Sequence, residues 1–206
     1  RRTREALMEA ALRLMSEGRS FTGLGLREVA REAGVVPTAF YRHFRDLDEL
    51  GLALVEEGGT TLRRLLREAR REGLPIGDVI RNSVRIYLRH LEEHPRQFLF
   101  VASERSGGSP VIRAAVRREV DHFVNEMAQD LRDLGALPHL SMEMLQTVSG
   151  LVVNVMLSAV ADILDLPPGQ PRAEEELIDT FVRQLRLAFL GASLWREQPR
   201  RQETAS

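Results

Sequence analysis

The stretch LREVAREAGVVPTAFYRHF, Leu26 to Phe44, decides the fold. Leu26, Val29, Ala30 and Ala33 make a short apolar stripe at helical spacing, and Gly34 stops it. Pro37 stands where a new helix can begin, since the N–H that proline lacks has no intrahelical partner in a first turn. That helix carries Phe40, Tyr41 and Phe44. Two short helices about a glycine-containing turn make a helix-turn-helix, with Ala30, Gly34 and Val35 compact where the helices cross. In such a unit the second helix enters the DNA major groove with its N-terminal residues toward the base edges. The spacing nominates Pro37, Thr38, Ala39, Tyr41, Arg42 and His43 for DNA contact. Thr38 suits a base edge or a phosphate, Tyr41 and His43 suit phosphates, and Arg42 suits phosphate or guanine. Arg27 lies at the start of the preceding helix, where a helix crosses the backbone, and Arg4 with Arg1 and Arg2 could form an arm. Helix pairs around a glycine also occur in all-α folds that touch no nucleic acid, so the pattern alone leaves both readings open.

Outward from this unit the periodicity stays helical. Leu7, Ala10, Ala11, Leu14 and Met15 form an amphipathic stripe ending near Gly18. Asp46 is placed to cap a long helix through Leu50, Leu54, Leu62 and Leu66. Further stripes run over 76–93, 96–105, 110–134, 141–164 and 174–196, separated by His94-Pro95, Gly107-Gly108, Gly135 to Pro138 and Leu166 to Pro171. No alternating strand run or hairpin signal stands out. The expected fold is all-α, with about nine helices: a DNA-binding unit over 1–46, a helical bundle over 47–197 and a loose tail over 198–206.

Composition narrows the chemistry. The 206 residues hold 29 bases, all arginine, against 30 acids, and no cysteine. Disulfides, cysteine-ligated metals, cysteine nucleophiles and every lysine-dependent reaction are excluded. The net charge of -1 hides opposed segments: +4 over 1–45, -5 over 46–62, +7 over 63–118 and -7 over 119–206. A basic N-terminus suits phosphate. The charged start lacks a long apolar run, and the apolar stretch Leu151 to Leu164 is interrupted and short, so a cytoplasmic protein without a membrane partner is expected. His90-Leu91-Glu92-Glu93-His94 fits the inverted zincin pattern H-x-x-E-H. That string arises readily in an Arg- and Glu-rich helix and has no evident downstream ligand, so neither an enzyme nor a resident metal is expected. The remaining histidines, His43, His122 and His139, make no recognisable catalytic spacing.

The run Phe21, Arg27, Val29, Ala30, Ala33, Gly34, Val35, Phe40, Tyr41, His43, Phe44 and Leu50 resembles the DNA-binding domain of TetR-family transcriptional repressors. Gly25 departs from the usual Ser or Thr cap, and Leu47 stands where the family often has a phosphate-binding lysine. The strings GLGLREVAREAG, VPTAFYRHFRDLDELGLALVEE, SERSGGS and IRAAVRREVDHF resemble the branch that includes the FabR and DesT repressors of unsaturated fatty acid synthesis and desaturation. That resemblance implies a homodimer on a palindromic operator, with affinity set by a long-chain acyl-CoA. A repressor of an efflux or catabolic operon, answering to another hydrophobic small molecule, is the alternative.

On that footing Leu66, Ile86, Phe98, Phe123, Met127 and Met156 are candidates to line an apolar cavity, although each also reads as ordinary core. Arg105, with the glycines of SGGS, is the candidate anion contact, and Arg63, Arg67, Arg70, Arg71, Arg113, Arg117 and Arg118 are further cations that could face phosphates. Leu151 and Val155 on one helix, with Phe181, Leu185 and Phe189 on another, resemble the family's dimer interface; a buried monomer core remains open for the same residues.

Overall fold

The computed structural model describes residues 2–70, 76–167 and 169–196. Arg1 and the tail expected over 198–206 lie outside the described residues. The order is α1 (Arg2–Ser16), α2 (Leu26–Glu32), α3 (Pro37–Phe40), α4 (Leu47–Arg70), α5 (Ile76–Glu93), α6 (Pro95–Glu104), α7 (Pro110–Asp133), α8 (Met142–Leu164) and α9 (Pro171–Leu194), with a single 3-10 turn at Phe21–Gly23 and no strand among the described residues.

Local chemistry sets the ends. Gly18 and Gly34 take φ of +89° and +69°, the left-handed conformation that closes α1 and α2 and that a side chain would strain. Asp46 Oδ1 accepts the Glu49 N–H at 2.8 Å at the head of α4. Ser109 and Ser141 hydroxyls accept the N–H groups of Ile112 at 3.3 Å and Met144 at 3.2 Å. Gly25 has no cap oxygen, so half of a capping box remains: its N–H donates to Glu28 Oε2 at 3.4 Å.

Two apolar cores share the helices. The first holds α1 to α3, with Leu7, Phe21, Phe40 and Phe44, and is completed by Leu50 and Leu54 of α4, Phe100 of α6 and Ile112 of α7. The second packs α5, α7, α8 and α9 around Val84, Leu88, Leu91, Leu145 and Phe181. Helices α4, α6 and α7 contribute to both. The junction is polar as well as apolar. Phe21 stacks edge-on against Phe100 with centroids 5.5 Å apart, the Ser109 hydroxyl donates to Asp48 Oδ1 at 3.1 Å, and Arg96 pairs with Glu9 of α1. Helix α8 is long and apolar enough to cross a membrane by length and composition alone. Here its Leu145, Val148 and Val152 are core residues.

Candidate functional site

Helices α2 and α3 meet through Gly34, and the Val35 N–H closes the turn on the Ala30 carbonyl at 2.9 Å. Phe40 anchors α3, fully buried, and packs on Phe44 at 5.7 Å. The residues nominated for DNA on and just after α3 therefore sit on the outward side. Pro37, Thr38, Tyr41 and Arg42 are exposed, and Ala39 and His43 are half-buried. Tyr41 keeps 63% of its surface in solvent, an unusual fraction for a tyrosine. Helix α3 is shorter than the spacing suggests: it ends at Phe40, and Tyr41, Arg42 and His43 form a turn that leads into α4. A concave surface of about 450 Å³ brings Arg27 of α2 together with Pro37, Thr38 and Tyr41.

One expectation at this surface is corrected. Arg4 belongs to no arm: it lies within α1, with its guanidinium 5.3 Å from the centre of the Phe44 ring and 3.8 Å from Glu57 of α4. A cation over an aromatic face holds α1 to the start of α4. Leu47, where a lysine is common, packs against the N-terminal core and offers nothing to a phosphate. The acids near the surface are held by neighbours. Arg19 donates to both Glu28 oxygens, at 2.7 and 3.2 Å, and holds that carboxyl below its ordinary pKa. Glu49 is held low by the Arg45 backbone N–H and then by its guanidinium.

The second site is a cavity of about 430 Å³ in the C-terminal core, an ordinary size for a small-molecule pocket. Its wall is mostly apolar and draws on α4 to α9. Leu66, Phe98, Phe123, Met127 and Met156 line it, and so do Leu185 and Phe189, nominated instead for the dimer. Ile86 does not; it packs against the surrounding core. The polar lining residues are Ser83, Tyr87, His90, Gln97 and Glu119. The Tyr87 hydroxyl is taken up by the Met156 carbonyl at 2.8 Å, and burial pushes its pKa well above the ordinary range. Gly58 and Gly59 of α4 also face the cavity. No pattern of apolar side chains could flag them, because what lines the space there is backbone.

Among the described residues the expected anion contacts do not gather at this cavity; Arg71 and the side chain of Arg70 lie outside the described residues. Arg63 pairs with Glu119, Arg67 pairs with Glu126 at 2.6 Å, and Arg113 donates to the Gly107 carbonyl. Arg105 is exposed, donates to Asn154 Oδ1, and is no lining residue. The SGGS loop is no anion cradle: the Glu104 carboxylate already fills it. That carboxylate is 3% exposed, accepts the Phe21 N–H, and lies where a Cβ on Gly107 would come within 2.2 Å of Oε2.

The dimer nominations also divide. Phe181 and Leu185 are 3% and 4% exposed within the chain's own core, and Val155 is partly buried there. Leu151 does face outward, at 53%. The outward apolar row on α9 is Leu187, Leu190 and Leu194, with Trp195 beyond, all more than half exposed. Helix α9 thus carries two apolar stripes, and the stronger one serves the core.

Exposed residues on a helix-turn-helix, joined through α4 to a walled apolar cavity, are the parts a ligand-responsive regulator of transcription needs. Residues 7–54 match the family model for bacterial regulatory proteins of the tetR family, and residues 76–186 match that for the tetracyclin repressor-like C-terminal domain. The chain belongs to the tetR family and is a DNA-binding transcriptional regulator of a class that is generally not enzymatic. Among solved structures it is similar to the fatty acid degradation regulator FadR from Bacillus halodurans (TM-score 0.72, 14% identity, covering 92% of this chain and 95% of that one). It is also similar to FadR from Bacillus subtilis in complex with stearoyl-CoA (0.69, 13%, 91% and 98%). A third is a transcriptional regulator from Rhodococcus sp. RHA1 (0.70, 21%, 95% and 98%). At these identities the likeness is one of fold.

Proposed function

We propose that the chain is a cytoplasmic, homodimeric repressor of fatty acid synthesis or desaturation genes, binding a palindromic operator with an affinity set by a long-chain acyl group, acyl-CoA first among candidates. The observation that carries this reading is the apolar cavity walled by the same helix that begins at the DNA-binding unit. Helix α4 starts at Leu47, just after Phe44, and its Val55, Leu62 and Leu66 line the cavity. Val55 is eight residues from Leu47, about 12 Å along the helix axis, and Leu66 about 28 Å. An occupant that favours one tilt of α4 shifts the population toward one spacing of the two recognition helices. Support for the fatty-acid role comes from the sequence strings that resemble the FabR and DesT branch and from the stearoyl-CoA bound by one structural neighbour.

In this reading Arg27, Thr38, Tyr41, Arg42 and His43 meet DNA, while Leu151 and the outward row of α9 meet a second copy. The pairing of Arg63 and Arg67 with acids favours a second reading on one point, since an effector without phosphates needs no free cation. That reading is a repressor of an efflux or catabolic operon. Native mass spectrometry of protein purified from cells separates the two: a retained acyl-CoA mass supports the first, a different hydrophobic mass the second. The DNA-binding assignment is tested by gel shift on the palindromic operator. Tyr41→Ala should weaken binding at least about tenfold, one good contact being lost in each half-site; unchanged binding refutes it.

A further inference from the structure

We propose that His90, Glu93 and His94 form a binding site for one divalent transition-metal ion, of the zinc class, at the junction of α5 and α6. The three donors come from one turn of backbone. Helix α5 ends at Glu93, yet the His94 N–H still donates to the His90 carbonyl at 3.0 Å, so His94 keeps the i+4 position above His90. The two rings lie 4.6 Å apart, and the potential ligand atoms of all three residues lie within 4.8 Å of one another. Donors on a tetrahedral ion with bonds near 2.0–2.1 Å are about 3.3 Å apart. Binding would draw the donors together by side-chain rotation. Glu93 and His94 are exposed, while His90 is buried.

The chemistry is suitable. A histidine ligand must be uncharged. Burial first, and then the neighbouring His94, lower the His90 pKa and favour the neutral ring. Glu93 provides a compensating negative charge, and Arg64 of α4 provides an opposing positive one. Two imidazoles and a carboxylate without thiolate select zinc, nickel, cobalt or copper over calcium or magnesium. His94 has no capping role to compete, since its side chain makes no hydrogen bond to α6. Packing accounts for part of the arrangement, because His90 also stands edge-on to Phe98 at 5.6 Å.

The position gives the site a consequence. His90 lines the effector cavity, so an ion held by it would sit at the cavity wall. Helix α6 starts at the next residue after His94, presents Gln97, Phe98 and Val101 to the cavity, and reaches the DNA-binding unit through Arg96–Glu9 and Phe100–Phe21. A metal clamping the end of α5 to the start of α6 would therefore bear on both sites.

The test uses the full chain after chelator treatment, titrated with Zn²⁺ against a chromophoric competitor, and with Co²⁺ for its visible absorption. The expected result is one ion per chain with micromolar or tighter affinity, and a Co²⁺ spectrum of low coordination number. Glu93→Gln and His94→Gln should each weaken binding at least about tenfold. His122→Gln and His139→Gln should leave it unchanged. Both key substitutions are at exposed positions, and circular dichroism of the metal-free variants checks their fold. Absence of stoichiometric binding by the wild type overturns the proposal, as does unchanged affinity in Glu93→Gln or His94→Gln. Operator binding by the metal-free protein is read separately, so failure here leaves the repressor reading standing.

Discussion

One substitution made at two positions of a single helix should have opposite effects. Gly51 and Gly58 both lie in α4, two turns apart. In a helix interior alanine is favoured over glycine by about 1 kcal/mol, mainly through the entropy of the unfolded chain. At Gly58 a Cβ meets nothing within 4 Å, so that gain should appear almost whole. At Gly51 a Cβ would fall 2.6 Å from Ile112 Cδ1 and 2.6 Å from Phe21 Cζ. Neither neighbour can step aside: Ile112 is 0% and Phe21 2% exposed, and Phe21 is also held against Phe100. Overpacking of this kind costs about 1–3 kcal/mol, and with two rigid neighbours the upper part of that range applies. The net for Gly51→Ala is then a loss of about 1–2 kcal/mol, against a gain of about 1 kcal/mol for Gly58→Ala. For a chain of this size each kcal/mol moves Tm by about 2–4 °C. Thermal unfolding followed by circular dichroism should place the two variants on opposite sides of the wild type. Shifts of the same sign would refute the close approach of Phe21 and Ile112 to Gly51.

Two further outcomes follow from the charges. Arg27→Ala should reduce the salt dependence of operator binding, the slope of log K against log salt falling by about 2 for one phosphate per half-site; gel shifts across a salt series check it, and an unchanged slope places Arg27 off the backbone. Burial raises the Glu104 pKa above its ordinary 4.5, and the Phe21 N–H and then Arg113 only partly oppose this. The folded chain therefore holds that proton longer than the unfolded chain, and its stability should fall as pH rises from 4.5 through the raised value, then level off. Glu104→Gln cannot titrate, so its stability relative to wild type should climb across that window in urea unfolding; a difference independent of pH would show that the carboxylate is not held in this way.

Much of the fold is legible in the sequence because it rests on local rules. The apolar spacing, Gly18 and Gly34 at helix ends, Pro37 and Pro110 in first turns, and Asp46 as a cap each act within a few residues. The exposed reading face of α3 follows as well, since burying Phe40 forces Thr38 and Tyr41 outward. The boundary at Phe40 does not follow, because Tyr41 to His43 leave the helix to join α4.

What the sequence by itself determined is the order of helices and which side of the helix-turn-helix is left exposed, both written in short-range periodicity. What only the tertiary structure decided is which of several equivalent faces meets which partner. Phe181 and Leu185 look as fit for a dimer as Leu187 and Leu190 until α9 is docked and one stripe is taken by the core. Arg63 and Arg67 look like phosphate ligands until α7 brings Glu119 and Glu126 beside them. Arg4 looks like an arm until Phe44 lies under it, and Gly58 and Gly59 become cavity wall only when α5 to α9 close around them. Each of these outcomes depends on contacts between residues far apart in the chain, which local periodicity does not encode.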